Sequence, residues 1–264
     1  MNENQKRFII LSCATEDLMW QYGITNELKA HYCRKNGYCF RFDSIAVNGE
    51  DKEPAFWHRT AMLDEEIKSG NYDYAIYMDV DAWPNDMNKR LESLISGDDK
   101  VCCTVSIDPW NKDNVEMWMD SYVNCGIIMF KCCEESSKMI RAWTVMPRPA
   151  GMYVRTVGKL HDQSFFNARL LFDEYFYDKV DIKTPEDMNY YICHDGWQDK
   201  FLLHAAGCGR GICTEDQFYK AALNTIDRYG VPENDVIKAF REKNAVEEKS
   251  LTDEKNGVDT PAES

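Results

Sequence analysis

YDYAIYMDVDAW, residues 72–83, is the stretch on which the reading of the fold turns. Tyr74 to Met78 is apolar, rich in β-formers and too short for a helix, so it reads as a buried strand. Two acids follow it directly. Asp79 and Asp81 are two residues apart, so both side chains point the same way if the chain stays extended, and they could share one cation. Oxygen ligands of this kind suit Mg²⁺ or Mn²⁺. An Asp-x-Asp by itself is common in surface loops. A strand this apolar, however, runs into two acids only where they are solvated, cap a turn or hold an ion.

Outward from this strand, the first hundred residues alternate. Phe8 to Ala14 reads as a buried parallel strand, and a helix follows from about Trp20 to Asn36, stopped by Gly37. Tyr38 to Phe42 is the next strand, Pro54 to Ser69 a helix ended by Gly70, Asn88 to Ser96 a further helix and Val101 to Ile107 a fourth strand. Beyond it come a strand at Val123 to Phe130, a helix at Glu134 to Thr144, and a Pro/Gly-punctuated connection from Met146 to Gly158 long enough to be a lid. A helix at Asp162 to Leu171, strands at Phe176 to Ile182 and Phe201 to Ala205, and two last helices complete residues 1–242. Residues 243–264 have almost no apolar content and are expected to be a disordered polar tail. The expectation is one α/β catalytic domain, Rossmann-like, with a mainly parallel central sheet flanked by helices. Its ligand site should then lie at the carboxyl ends of the strands.

Composition narrows the partners. The formal net charge is -14, and the tail carries little of it, leaving about -11 on the body, which argues against nucleic acid. A phosphate-bearing ligand would meet net repulsion, so a nucleotide site here should recruit a divalent cation or gather its few basic groups. The opening MNENQKRFIILSCATED has too short an apolar run for a signal-peptide core or a membrane span. Eleven cysteines without a Cys-x-x-Cys read as free thiols in a reducing compartment rather than as zinc ligands, and the location expected is the cytoplasm.

Other residues carry two readings each. His204 in FLLHAAGC reads more readily as a satisfied core histidine than as a ligand, although Ala205, Ala206 and Gly207 allow backbone or ligand to approach beside the ring. With two carboxylates it would complete a set suited to Mn²⁺. Thr15 could touch a nucleotide base or ribose, but a helix N-cap is the stronger reading. Trp110 and Trp118 sit in a polar context that suits either a sugar-stacking acceptor groove or ordinary packing. Arg148, Arg155 and Lys159 could close over a diphosphate, or be a solvated loop.

Six short blocks, in order from about Glu27 to Gly207, resemble glycosyltransferase family 34 of galactosyl-, xylosyl- and mannosyltransferases, which has the GT-A fold. They are ELKAHYCRKNGYCFRF, EPAFWHRTAMLDEEI, YDYAIYMDVDAW, VNCGIIMFKCCEESSKMIRAW, HDQSFFNARL and WQDKFLLHAAGC. The resemblance implies that Asp79 contacts donor ribose or metal, that Asp81 ligates Mn²⁺ and that His204 is the third protein ligand. It also implies that Asp162 and Gln163 lie beneath the donor sugar, that Asn124 and Gly126 shape the sugar pocket, and that transfer retains anomeric configuration. Family members usually sit behind a membrane anchor, which is not seen here. Several carry a Lys after the His block where this chain has Gly209, so Arg210 is the residue expected to hold the diphosphate in its place.

The function expected is therefore metal-dependent transfer of a hexose or pentose from a nucleoside-diphosphate sugar, UDP-linked by preference, to a glycan or glycoprotein hydroxyl. A metal-dependent phosphohydrolase or nuclease and a non-catalytic sugar-binding module are the competing readings. Two-metal hydrolysis normally needs more converging acids than Asp79 and Asp81.

Overall fold

The computed structural model describes residues 6–46, 53–109, 122–147, 161–208 and 213–256. β1 (Phe8–Thr15) is buried along its whole length because both of its faces are covered. Phe8, Ile10 and Ala14 join one hydrophobic cluster, and Ile9, Leu11 and Cys13 another on the opposite face. This is the signature of a strand inside a helix-covered sheet. α1 (Glu16–Asn36) ends where Gly37 adopts φ 74°, a left-handed conformation, and its N–H closes on the Cys33 carbonyl. β2 (Cys39–Ile45), α2 (Glu53–Ser69) and β3 (Tyr74–Met78) follow.

A six-stranded sheet has the order β2-β1-β3-β6-β5-β7, where β5 is Cys103–Ile107, β6 Val123–Lys131 and β7 Val180–Lys183. β6 alone runs antiparallel to its neighbours, so the central sheet is mainly parallel, as expected. α3 (Glu134–Trp143) and α4 (Asp162–Phe172) join α2 on one face, through Met62, Leu63, Met139, Trp143 and Phe166. On the other face α1 packs with α7 (Glu215–Tyr229) and α8 (Asp235–Asn256), through Leu28, Tyr32, Phe218, Ile226 and Phe240. Each fully buried aliphatic or aromatic side chain contributes about 1.5–3 kcal/mol.

A second sheet of three short strands was not expected. β4 (Ala82–Pro84) continues directly from the acidic turn after β3 and pairs antiparallel with β9 (Leu202–His204), which pairs parallel with β8 (Tyr190–Tyr191). Asn85, fully buried, fastens this sheet to the helical layer. Its Nδ2 donates to the carbonyls of Trp197, Gln198 and Lys200 at 3.0–3.3 Å, and its Oδ1 accepts from Thr225 Oγ1 at 2.7 Å.

Three local expectations change. Phe176 lies in a short helix, α5 (Glu174–Tyr177), because Asp173 caps it by accepting from the Phe176 N–H, and only Val180–Lys183 of that segment is strand. The helix expected at Asn88 to Ser96 is a single 3₁₀ turn, Leu91–Leu94. Helical backbone in α8 continues to Asn256, through the boundary at 242/243 and into the segment expected to be disordered. Among the described residues no helix is long and apolar enough to cross a membrane.

Candidate metal and sugar-transfer site

The two acids meet by a turn rather than by an extended strand. The Asp79 carbonyl accepts from the Ala82 N–H at 3.0 Å, so the chain reverses through Val80 and Asp81 into β4. Three anchors hold that turn. The Lys29 ammonium donates to the Asp79 carbonyl at 2.8 Å, the Thr25 hydroxyl donates to the Val80 carbonyl, and the Ala205 N–H donates to the Asp81 carbonyl at 2.9 Å. Lys29 is itself fully buried, so burial pulls its pKa down to about 7 against the opposing pull of Asp81 and Asp79.

The third anchor ties the acidic turn to β9 and brings His204 beside it. His204 Nε2 lies 3.2 Å from Asp81 Oδ1 and 3.9 Å from Asp79 Oδ2, and one ligand atom from each of the three residues falls within 4.8 Å of the others. The histidine is 3% exposed, and the carboxylates open partly to solvent. Burial opposes charge on His204, but Asp81 and Asp79 outweigh it and raise its pKa. Asp81 is likewise penalised by burial, yet His204 brings it below the usual carboxylate range, whereas burial leaves Asp79 raised. Two carboxylates and an imidazole fit a hard or borderline divalent cation, and among the described residues no other group of His, Cys, Asp and Glu does.

The floor of the site is β6. Its register against β5 shifts, with Val105 opposite Ile128 but Ser106 opposite Asn124, so residues 125–127 bulge beside the acidic turn. The Asp79 N–H donates to the Gly126 carbonyl at 2.6 Å. A Cβ on Gly126 would stand 2.8 Å from both Asn124 Oδ1 and Asp79 Oδ2, and closer still to His204 Cε1, so only glycine fits under the three ligands.

Asp162 and Gln163 open α4 beside this floor, where Gln163 Oε1 accepts from the Cys125 N–H at 3.0 Å. Asp162 is 1% exposed, and burial raises its pKa against the pull of Arg59. Arg59, from α2, links the two groups of acids. Its Nε is 2.8 Å from Asp162 Oδ2, its Nη1 is 3.5 Å from Asp79 Oδ1 and donates to the Cys125 carbonyl at 2.8 Å, and the guanidinium lies over the Tyr77 ring. One buried cation therefore spans Asp79 and the carboxylate of Asp162.

Asp79, Asp81, His204, Asn124 and Gly126 thus converge, and Asp162 and Gln163 join them through Arg59 and Cys125. Thr15 is buried at the end of β1 and stands at the N-cap position of α1, but its side chain makes no capping hydrogen bond there. Gly207 has φ 68° in the turn after His204, a conformation that favours glycine. Trp110, Trp118 and Arg210 lie outside the described residues, as do Arg148, Arg155 and Lys159.

Sequence reading assigned no role to Arg59, Lys29, Asp108, Asn189 or Tyr191. Arg59 and Lys29 carried a signal, each being a cation on the apolar face of a helix beside Met62 and Leu63 or Leu28 and Tyr32. The others had none, because nothing in a single sequence pairs residue 108 with 191.

No protein-family model and no curated protein matches the sequence. Among solved structures the chain is similar to a glycosyltransferase involved in the glycosylation of the major capsid of PBCV-1, at 14% identity over 82% of this chain and 99% of that one, with a TM-score of 0.58. It is also similar to the galactosyltransferase LgtC in complex with donor and acceptor sugar analogues, at 16% identity over 81% of this chain and 95% of that one, with a TM-score of 0.50. At such identities the likeness is one of architecture, and the architecture of this chain is that of the GT-A glycosyltransferase structures.

Proposed function

We propose that the chain is a metal-dependent glycosyltransferase that moves a hexose or pentose from a nucleotide sugar, UDP-linked by preference, to a glycan or glycoprotein hydroxyl with retention of configuration. The observation that carries this reading is the meeting of Asp79, Asp81 and His204 at the strand ends, in a fold shared with glycosyltransferase structures. Asp79, Asp81 and His204 would hold Mn²⁺ or Mg²⁺, which supplies charge neutralisation for the donor diphosphate and its leaving group. That need is acute in a chain of net charge -14.

Asp162 would face the reacting carbon and stabilise positive charge developing there. Gln163 and Asn124 would orient the sugar, and Gly126 and Gly207 would let it approach the backbone. Arg59 keeps Asp162 in place and holds positive charge beside it. Thr15 and Arg210 are assigned to the nucleotide and diphosphate, and Trp110 and Trp118 to the acceptor. The affinity with family 34 belongs to this proposal and rests on the six sequence blocks. All eleven cysteines are thiols, which fits a reducing compartment and the cytoplasmic assignment.

The test is a panel of nucleotide sugars with Mn²⁺ or Mg²⁺, read both by release of nucleoside diphosphate and by thermal shift. Selective, metal-dependent release is the expected result. Phosphodiester cleavage, or sugar binding indifferent to metal and nucleotide, would overturn the reading.

A further inference from the structure

His204 has a second ring nitrogen, and its surroundings are as specific as those of the first. Nδ1 lies 3.1 Å from Asn189 Oδ1. Asn189 is fully buried between α6 (Pro185–Met188) and β8, and its Nδ2 donates to Asn124 Oδ1 at 2.9 Å. Asn124 Nδ2 donates to the Tyr191 hydroxyl at 2.8 Å, and that hydroxyl donates to Asp108 Oδ1 at 3.1 Å. All five side chains are buried.

Every link in this series has one permitted direction. The Tyr191 hydroxyl spends its single proton on Asp108 and turns a lone pair toward Asn124. The Asn124 amide then presents its NH₂ to Tyr191 and its oxygen to the other side. The Gly126 backbone N–H, which can only donate, fixes the same orientation independently by bonding Asn124 Oδ1 at 2.8 Å. Asn189 must therefore give its NH₂ to Asn124 and leave its oxygen facing His204. An oxygen at Nδ1 requires a proton on Nδ1. Nε2 also faces an acceptor, Asp81 Oδ1 at 3.2 Å, so without a metal the ring is drawn to carry both protons, and the one on Nε2 is the one a cation would replace.

We propose that Asp108, Tyr191, Asn124 and Asn189 form a one-way hydrogen-bond relay that keeps a proton on His204 Nδ1 and so leaves Nε2, the nitrogen facing Asp79 and Asp81, as the position a divalent cation would take. Asn189 is the positioning residue of the relay. A partner on the remote ring nitrogen also fixes the plane of the imidazole and raises the basicity of the ligating one. The role as metal ligand rests on the function proposed above, whereas the proton on Nδ1 does not.

The experiment uses the full chain with ¹⁵N-labelled histidine and reads whether Nδ1 of His204 is protonated from long-range ¹H–¹⁵N correlations without metal. Mn²⁺ alone is then titrated and followed by the electron paramagnetic resonance of the free ion. The parent should show Nδ1–H. Asn189→Leu should populate the Nε2–H form and weaken Mn²⁺ binding about 10–100-fold. Tyr191→Phe, which leaves the Gly126 N–H still holding Asn124, should keep the Nδ1 proton and weaken binding no more than about threefold.

An Nδ1 without a proton in the parent, or a folded Asn189→Leu protein with unchanged Nδ1 protonation and Mn²⁺ affinity, would overturn the relay. A larger effect in Tyr191→Phe than in Asn189→Leu would do so too, and that comparison stands if either variant is marginally stable. Absence of Mn²⁺ binding in the parent would instead remove the proposed function, and the metal-free spectrum would still decide the relay.

Discussion

The six-stranded and three-stranded sheets are built by different means, although both supply residues to the site. The large sheet is a burial structure. β1, β3 and β6 are apolar almost throughout, and helices cover both faces. The small sheet has strands of only two or three residues; Trp83, Leu202 and Leu203 are buried in the core as well, but its short ladders are supplemented by side-chain hydrogen bonds, chiefly those of Asn85 to three carbonyls and of Asn189 to Asn124 and His204. The acidic turn follows the first sheet and His204 closes the second, so Asp79, Asp81 and His204 meet only where the two are held in register. Burial supplies the rigidity of such a site, and directional polar contacts supply its geometry.

Arg59 should give the largest effect, because it serves the large sheet and the site together. Arg59→Leu leaves Asp162 and its charge in the interior and should cost about 3–5 kcal/mol, measured by urea unfolding. A cost near zero would show that Asp162 is neutral or solvated. Next comes Gly126→Ala, in which one methyl group enters the space between Asn124, Asp79 and His204. Strain of about 1–3 kcal/mol should appear as lost stability, and Mn²⁺ titration should show weakened binding. Undiminished binding would mean that the β6 bulge yields more easily than its contacts imply.

Asn85→Ala sharpens the comparison further, since Asn85 bonds the turn before β9 and Thr225 of α7 but no strand of the large sheet. Leaving buried carbonyls unpaired should cost about 1–3 kcal/mol. Hydrogen exchange should accelerate in β8 and β9 while β1 and β3 keep their protection. Uniform acceleration across both sheets would show that they unfold as one unit.

The same contrast explains what could be read in advance. Tyr74–Met78 was assigned to its residue and β1 and β6 to within one, because a buried strand announces itself as a continuous apolar run. The helix ends at Gly37 and Gly70 were legible from the residue type, and both glycines have positive φ. Asp79 and Asp81 were legible as a pair, but the turn that joins them was not, since it depends on Lys29, Thr25 and Ala205 reaching across from other elements. His204 looked like a core histidine and is indeed buried, yet its ring lies between Asn189 and two carboxylates. Local pattern records burial and does not record which distant polar group answers a buried one. Arg59, Asn189, Tyr191 and Asp108 escaped notice for that reason.

The central claim is that the acidic turn of one sheet and the histidine of the other hold a single divalent cation, and Mn²⁺ titration of the parent and of Asp81→Ala, with pH varied, tests it most directly. One site per chain is expected, with affinity falling at least about 100-fold in Asp81→Ala. Because Asp81 and Asp79 raise the pKa of His204 in the metal-free protein, protons should compete for the ring, and affinity should climb as pH rises until His204 is neutral, then level off. Binding unaltered by Asp81→Ala, or independent of pH through that range, would contradict the assignment.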